Sequence, residues 1–241
     1  TIDGLDVMGS AVIDVGNGND TVTLVAAANG NASGLAAYHG DLTVILGDGV
    51  APDVRVVVQD RLGGTGHAVR MVTEALGDLP GTVVVTYADM PLLRTQTLAA
   101  LIREHAAAGN AVTVLTARVP DPSGYGRVIR DDGGSLAEIV EDADATAAQR
   151  AIDEINSGCY AFDGALLADA VKRVATSNAQ GQEYLTDVVG IMRGDGHPAG
   201  TVLAADAAEV QGVNDRVQLA QAQRAFNDRL LEDWMRAGVT I

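Results

Sequence analysis

From residue 42 onward, short apolar runs alternate with segments of helical period, and this alternation restricts the fold more than any other feature of the chain. Thr43-Val44-Ile45-Leu46, Val54-Arg55-Val56-Val57-Val58 and Thr82-Val83-Val84-Val85-Thr86 read as buried strands. The last is almost wholly apolar, as expected of a central strand covered on both faces. Residues 65–76 predict a helix with Ala68, Val72, Ala75 and Leu76 on one face. Thr95 can cap a second helix carrying Leu98, Leu101, Ile102 and His105, and residues 111–115 return as a strand. His105 continues an apolar face, so it reads as structural. The pattern predicts an α/β fold with a mainly parallel, mixed sheet.

Further strands are expected at 125–130, 136–141 and 154–162, with helices at 163–174 and 183–193. A long final helix should start at Asn214, carry a stripe of Leu219, Ala222, Phe226, Leu230 and Trp234, and end at Gly238. Residues 1–40 differ from the rest. They are rich in Gly, Asn, Asp and Ala and suggest short strands and turns. Gly16-Asn17-Gly18-Asn19-Asp20-Thr21-Val22 matches part of a calcium-binding β-roll nonapeptide. Such repeats bury a core only when several stack, so a turn accounts for one partial copy. The expected division is an atypical segment at 1–40, a catalytic-type domain at 41–237 and the start of a linker at 238–241.

Charge excludes several partners. The chain has 32 acids against 16 bases, a formal net charge of −16. Nucleic acid and anionic membrane would be repelled. Aromatic residues make up only 3%, so the core must be aliphatic. No run approaches the roughly 20 apolar residues of a membrane span. The single cysteine, Cys159, lies in the apolar run Cys159-Tyr160-Ala161-Phe162 and reads as a small buried hydrophobe. With no basic leader at the start, a cytoplasmic location is expected.

Five segments could carry chemistry. Gln59-Asp60-Arg61-Leu62-Gly63-Gly64-Thr65-Gly66-His67-Ala68 is a glycine-rich turn between a strand and a helix. Such a turn can bring backbone N–H groups to a base or phosphate, and Gln59 could read a base edge. A strand-to-helix turn needs glycine in any case. Tyr87-Ala88-Asp89-Met90-Pro91-Leu92 follows the central strand, and open α/β sheets bind ligands at such strand ends. A carboxylate there suits Mg²⁺, although a surface turn would also explain it. Gly124-Tyr125-Gly126-Arg127 alone is a turn before a strand. Glu141, and Asn156 within Glu154-Ile155-Asn156-Ser157-Gly158, are ordinary strand-end polar residues when taken singly. In Gly212-Val213-Asn214-Asp215-Arg216, Asn214 could be a helix cap.

Taken in order, the set resembles the uridyltransferase domain of bacterial bifunctional N-acetylglucosamine-1-phosphate uridyltransferases over about residues 42–241. Glu183-Tyr184-Leu185-Thr186-Asp187 belongs to the same pattern. The resemblance implies a Rossmann-like nucleotide-diphospho-sugar transferase fold. It implies uridylyl transfer from UTP to N-acetylglucosamine 1-phosphate, giving UDP-N-acetylglucosamine and pyrophosphate for cell-wall precursor synthesis, with Mg²⁺ as cofactor. By the same resemblance, Gln59, Gly64 and Thr65 would hold uracil. Tyr87, Ala88 and Asp89 would line the nucleotide. Gly126, Glu141, Asn156 and Tyr184 would hold the amino sugar. Asp89 and Asn214 would be the metal ligands.

The first segment departs from the family. There the resemblance implies a glycine-rich phosphate loop with an arginine, followed by a lysine. The nearest echo here, Leu24-Val25-Ala26-Ala27-Ala28-Asn29-Gly30-Asn31-Ala32, places Ala28 at the first loop glycine and Ala32 at the arginine. Residues 1–54 hold seven aspartates and no lysine or arginine. Cations placed at the phosphates contribute about 10³ or more in phosphoryl transfer, so weakened activity is expected. A non-catalytic nucleotide-sugar-binding domain is the alternative. Ala88 also replaces a glycine of the family. The family's trimerising β-helix acetyltransferase domain is not expected in a chain read to Ile241.

Overall fold

The computed structural model describes residues 57, 59 and 61–241. The strands expected at 43–46 and 54–58, the β-roll echo and the phosphate-loop echo lie outside the described residues, apart from Val57. The elements run α1 (Thr65–Leu76), β1 (Thr82–Val85), α2 (Thr95–Ala108), β2 (Val112–Arg118), β3 (Arg127–Arg130) and β4 (Leu136–Val140). They continue with α3 (Ala147–Arg150), β5 (Glu154–Asp163), α4 (Gly164–Ala170), α5 (Asp187–Gly194), β6 (Ala199–Leu203) and α6 (Arg216–Arg236). Short 3₁₀ turns occupy Val171–Arg173 and Ala207–Val210.

The six strands of the described residues form one sheet with the order β4-β3-β5-β2-β6, and β1 joins through β5. β5 is the axis. One edge pairs with β1 (Thr82 opposite Asp163) and, lower down, with β3 (Arg127 opposite Ile155). The other edge pairs with β2. These pairings and β3–β4 are antiparallel, and only β2–β6 is parallel among the described residues. The sheet is mixed as expected, but parallel pairing does not dominate it here. β1, β2, β3 and β6 do share one direction. Insertion of the oppositely directed β5 between β1 and β2 is what turns their contacts antiparallel.

Side-chain alternation splits the core into two layers. Val83, Val85, Val112, Val114, Tyr160 and Phe162 face one way and pack with Val69 of α1, Leu167 of α4 and Val188 and Met192 of α5. Val84, Leu115, Cys159 and Ala161 face the other way and pack with Leu98 and Leu101 of α2. Both strand faces are therefore covered, which explains the unbroken apolar runs. His105 is buried and its Nδ1 lies 3.1 Å from the Thr113 hydroxyl, a structural contact as expected.

Three local expectations change. Thr95 is the first residue of α2, and Arg94 holds the cap position without a side-chain bond. Asp215, not Asn214, caps α6: its carboxylate accepts from the Gln218 amide at 2.8 Å, and the Gln218 side chain accepts from the Asp215 amide. The acid one residue later forms a reciprocal capping box, which leaves the Asn214 side chain outside the cap. Phe226, Leu230 and Trp234 do share a helix face, but they are 47%, 42% and 58% exposed. Arg229 ties α6 to the body by donating to the Leu92 carbonyl at 3.0 Å. The strand β6 has no clear signal in its short Ala-Gly-Thr-Val-Leu sequence.

Candidate active site

The glycine-rich turn is fastened to a distant segment rather than standing free. The Gly66 amide donates to the Glu183 carbonyl at 2.7 Å, and the Glu183 amide donates to the Gly63 carbonyl at 2.7 Å. Gly64 has φ of +100°, and a Cβ there would lie 2.5 Å from the Glu183 carbonyl oxygen. Only glycine permits both the backbone angle and this approach. The Thr65 hydroxyl accepts from the Leu185 amide at 3.0 Å. Gln59 turns inward, with Nε2 donating to the Gly64 carbonyl at 3.1 Å and lying 2.9 Å from His67 Nδ1.

A second group forms where β3, β4 and β5 converge. Gly126 accepts from the Asn156 amide at 2.8 Å through its carbonyl. A Cβ on Gly126 would lie 3.0 Å from Ile139 Cγ2 and 3.5 Å from both Asn156 Cβ and Glu141 Oε2. Asn156 is nearly buried, and its Nδ2 donates to the Tyr160 hydroxyl at 2.7 Å. Burial raises the Glu141 carboxyl above its ordinary range, although the Thr186 hydroxyl donates to it at 3.0 Å and favours its charge. Glu141 and Tyr184 together line two adjoining cavities of about 300 and 200 Å³. Glu138, Asp144 and Asp187 add carboxylates to the larger one. Burial, then the charges of Asp144, Glu141 and Asp187, push the Tyr184 phenol up to about 12.

A third group lies at the end of β1. The Asp89 carbonyl accepts from the Val213 amide at 2.9 Å. A Cβ on Gly212 would lie 3.2 Å from Asp89 Oδ2 and 3.8 Å from Asn214 Nδ2, so both side chains border the bare face of this glycine. Among the described residues the buried Asp89 Oδ1 has no hydrogen-bond partner, and burial raises the carboxyl above its usual range. A buried carboxylate oxygen without a donor is costly unless a cation satisfies it. An Asp–Asn oxygen pair suits Mg²⁺, which takes few protein ligands and completes its shell with water and phosphate. These residues therefore fit the metal. No group of three or more His, Cys, Asp or Glu fit to hold an ion occurs among the described residues.

Tyr87 is placed among these groups: its phenol lies beside the Thr65 side chain, and the charges of Glu141 and Asp89 both act on it. Burial together with those charges raises the phenol well above its ordinary value. Ala88, beside it, is exposed.

The nucleotidyl transferase family profile matches residues 25–235. The chain belongs to the nucleotidyl transferase family. It is 58% identical over 196 residues to the "Bifunctional protein GlmU" of Thermobifida fusca, covering 80% of this chain and 40% of that protein. The GlmU of Streptomyces coelicolor is 59% identical over 194 residues, covering 80% and 40%. That of Corynebacterium glutamicum strain ATCC 13032 is 46% identical over 226 residues, covering 91% and 47%. The chain thus spans two fifths to about half the length of these relatives. A solved UDP-glucose pyrophosphorylase, complexed with UDP-glucose, aligns at a TM-score of 0.55 and 13% identity, covering 78% of this chain and 66% of that one. At that identity the likeness shows the fold, a Rossmann-like mixed sheet.

Within this nucleotidyl transferase, the sequence-derived residues fall into three groups, with Tyr87 among them. Residues that sequence reasoning passed over support them. Glu183 receives a two-pronged contact from Arg70, with Nε and Nη2 each at 2.9 Å from a carboxylate oxygen. Arg127 is buried and donates to Asp142 at 2.9 Å beside Glu141. Tyr125 lies in the field of Asp89. Glu183 and Arg127 sit inside motifs the sequence already marks, but their partners are distant in sequence. No helix of the described residues is long and apolar enough to cross a membrane.

Proposed function

We propose that this chain is a uridylyltransferase that joins UTP and N-acetylglucosamine 1-phosphate into UDP-N-acetylglucosamine with release of pyrophosphate. The observation that carries this reading is the buried Asp89 Oδ1, left without a hydrogen-bond partner among the described residues, on a carboxylate that borders Gly212 together with Asn214. The high identity to GlmU proteins supports it.

The sugar phosphate oxygen is already an anionic nucleophile, so no Ser, Cys or His nucleophile is needed. It forms a bond to the α-phosphorus as the bond to pyrophosphate breaks. Gln59, Gly64 and Thr65 hold the uracil, with the bonds from Glu183 keeping the loop open toward it. Ala88 borders the nucleotide. Gly126, Glu141, Asn156 and Tyr184 hold the amino sugar, Glu141 and Tyr184 supplying groups at the cavity wall. Asp89 and Asn214 would hold Mg²⁺. Bound there, the ion supplies charge neutralisation and Lewis acidity at the phosphates. The protein's own part is alignment of nucleophile and phosphorus. The cytoplasm is the proposed location.

The second reading is a domain that binds the nucleotide sugar without turning it over. The absence of lysine and arginine from residues 1–54 favours it, and so do the carboxylates of the larger cavity. Pyrophosphate release from UTP and N-acetylglucosamine 1-phosphate, measured with Mg²⁺ beside an Asp89→Ala control, separates the two. Release that disappears in the control supports transfer. No release, with UDP-N-acetylglucosamine still raising the melting temperature, selects binding alone. If there is neither release nor a rise in melting temperature, both readings are overturned.

A further inference from the structure

The strand β5 carries two more residues than β2 between the pairs Val114–Tyr160 and Thr116–Asn156. The extra length falls at Ser157-Gly158-Cys159. This bulge is closed by its own side chains: Asn156 Oδ1 accepts from the Gly158 amide at 3.0 Å, and the Ser157 hydroxyl accepts from the Cys159 amide at 3.1 Å. Bulges of this kind re-aim what packs on them. Gly158 has φ of +81°, and a Cβ there would lie 1.8 Å from Tyr87 Cε2 and 2.3 Å from Cδ2. The ring therefore rests in the space that any other residue at 158 would fill. Tyr87 also lies in the field of both Glu141 and Asp89, the candidate sugar and metal residues.

We propose that Gly158 is a positioning residue: its bare backbone is the seat that fixes the Tyr87 ring among the three parts of the site. The inference rests on the uridylyltransferase reading. A methyl group at 158 cannot coexist with the ring where it stands. The ring has to leave Gly158, and its place in the field of Glu141 and Asp89 goes with it. Asn156 enters twice, since it borders the sugar group and closes the bulge.

The test is a double-mutant cycle of Gly158→Ala and Tyr87→Ala, read by thermal denaturation and by titration with UDP-N-acetylglucosamine. An alanine at 158 pays for a positive φ in either background. It pays for the ring only when the ring is present. Gly158→Ala is therefore expected to weaken UDP-N-acetylglucosamine binding about tenfold or more in the parent, and to add little once Tyr87 is alanine. Tyr87→Phe keeps the ring and should keep the sensitivity. Equal costs of Gly158→Ala in all three backgrounds would overturn the seat and leave backbone strain as the whole effect. Coupling in denaturation without any loss of ligand affinity would overturn the positioning role. A parent protein that binds no UDP-N-acetylglucosamine would instead remove the functional reading, and this inference with it.

Discussion

The Gly66 amide and the Glu183 carbonyl are joined at 2.7 Å, so the candidate uracil loop is built on the residue that precedes Tyr184 at the candidate sugar cavity. The Glu183 side chain completes the fastening through Arg70, on the helix that follows the loop. Local sequence sets the glycines, and the distant segment sets their conformation.

Replacing Arg70 by alanine leaves the buried Glu183 carboxylate its ion pair with Arg61, whose side chain is 63% exposed. We expect a loss of about 1–3 kcal/mol, typical of a charged hydrogen-bonded partner removed beside a buried group. Arg70 also holds the Glu183 carboxyl below its usual range. A depressed carboxylate gives stability above its unfolded pKa that is lost as pH falls through the folded one. The difference between parent and variant in denaturant unfolding should therefore be full at pH 7 and shrink on acidification. A constant difference down to low pH would contradict the assignment.

Asp89 sets function against stability. Asp89→Asn removes a buried charge whose Oδ1 has no partner among the described residues, so the free protein should melt higher than the parent. Metal-dependent turnover should fall about a hundredfold or more, as losing a ligand costs at least what an outer-shell change does. Melting curves without metal and pyrophosphate release with Mg²⁺ check the two halves. A variant that melts lower would show that the carboxylate is satisfied.

Glu141 has the opposite sign from Glu183. Burial raises its carboxyl, so the folded state favours the protonated form. Its contribution is full below the unfolded pKa and is lost as pH rises through the folded value. Glu141→Gln should therefore stabilise the protein at pH 7 and lose that advantage near pH 4. Affinity for N-acetylglucosamine 1-phosphate should drop in the same variant. Paired melts at the two pH values, with a binding titration, decide it.

Cys159 should resist modification. It is fully buried, and burial pushes its thiol up to about 12. The thiolate is the reactive form, so a thiol reagent should label the chain only after denaturant is added. Rapid labelling of the native protein would mean that β5 opens locally.

The alternation from residue 42 made α1, β1 and β5 legible within a residue, because a two-sided sheet needs continuous apolar strands and amphipathic covers. The caps were less legible. Asn214 and Asp215 are both good capping residues, and the Gln218 side chain decides between them by bonding back. The exposure of Phe226, Leu230 and Trp234 was not legible either, since a helical stripe says which residues share a face but not what covers it.

Sequence alone determined the fold class, the position of Asp89 at a strand end and the motif set that marks a nucleotidyl transferase. Each of these depends on residue type and short spacing. Tertiary structure alone decided that β5 enters between β1 and β2, that Glu183 fastens the glycine loop, and that Tyr87 rests on Gly158 in the field of Glu141 and Asp89. Those relationships join residues far apart in the chain. They arise from how the strands order themselves to bury both faces of the sheet, a choice that no local window of sequence contains.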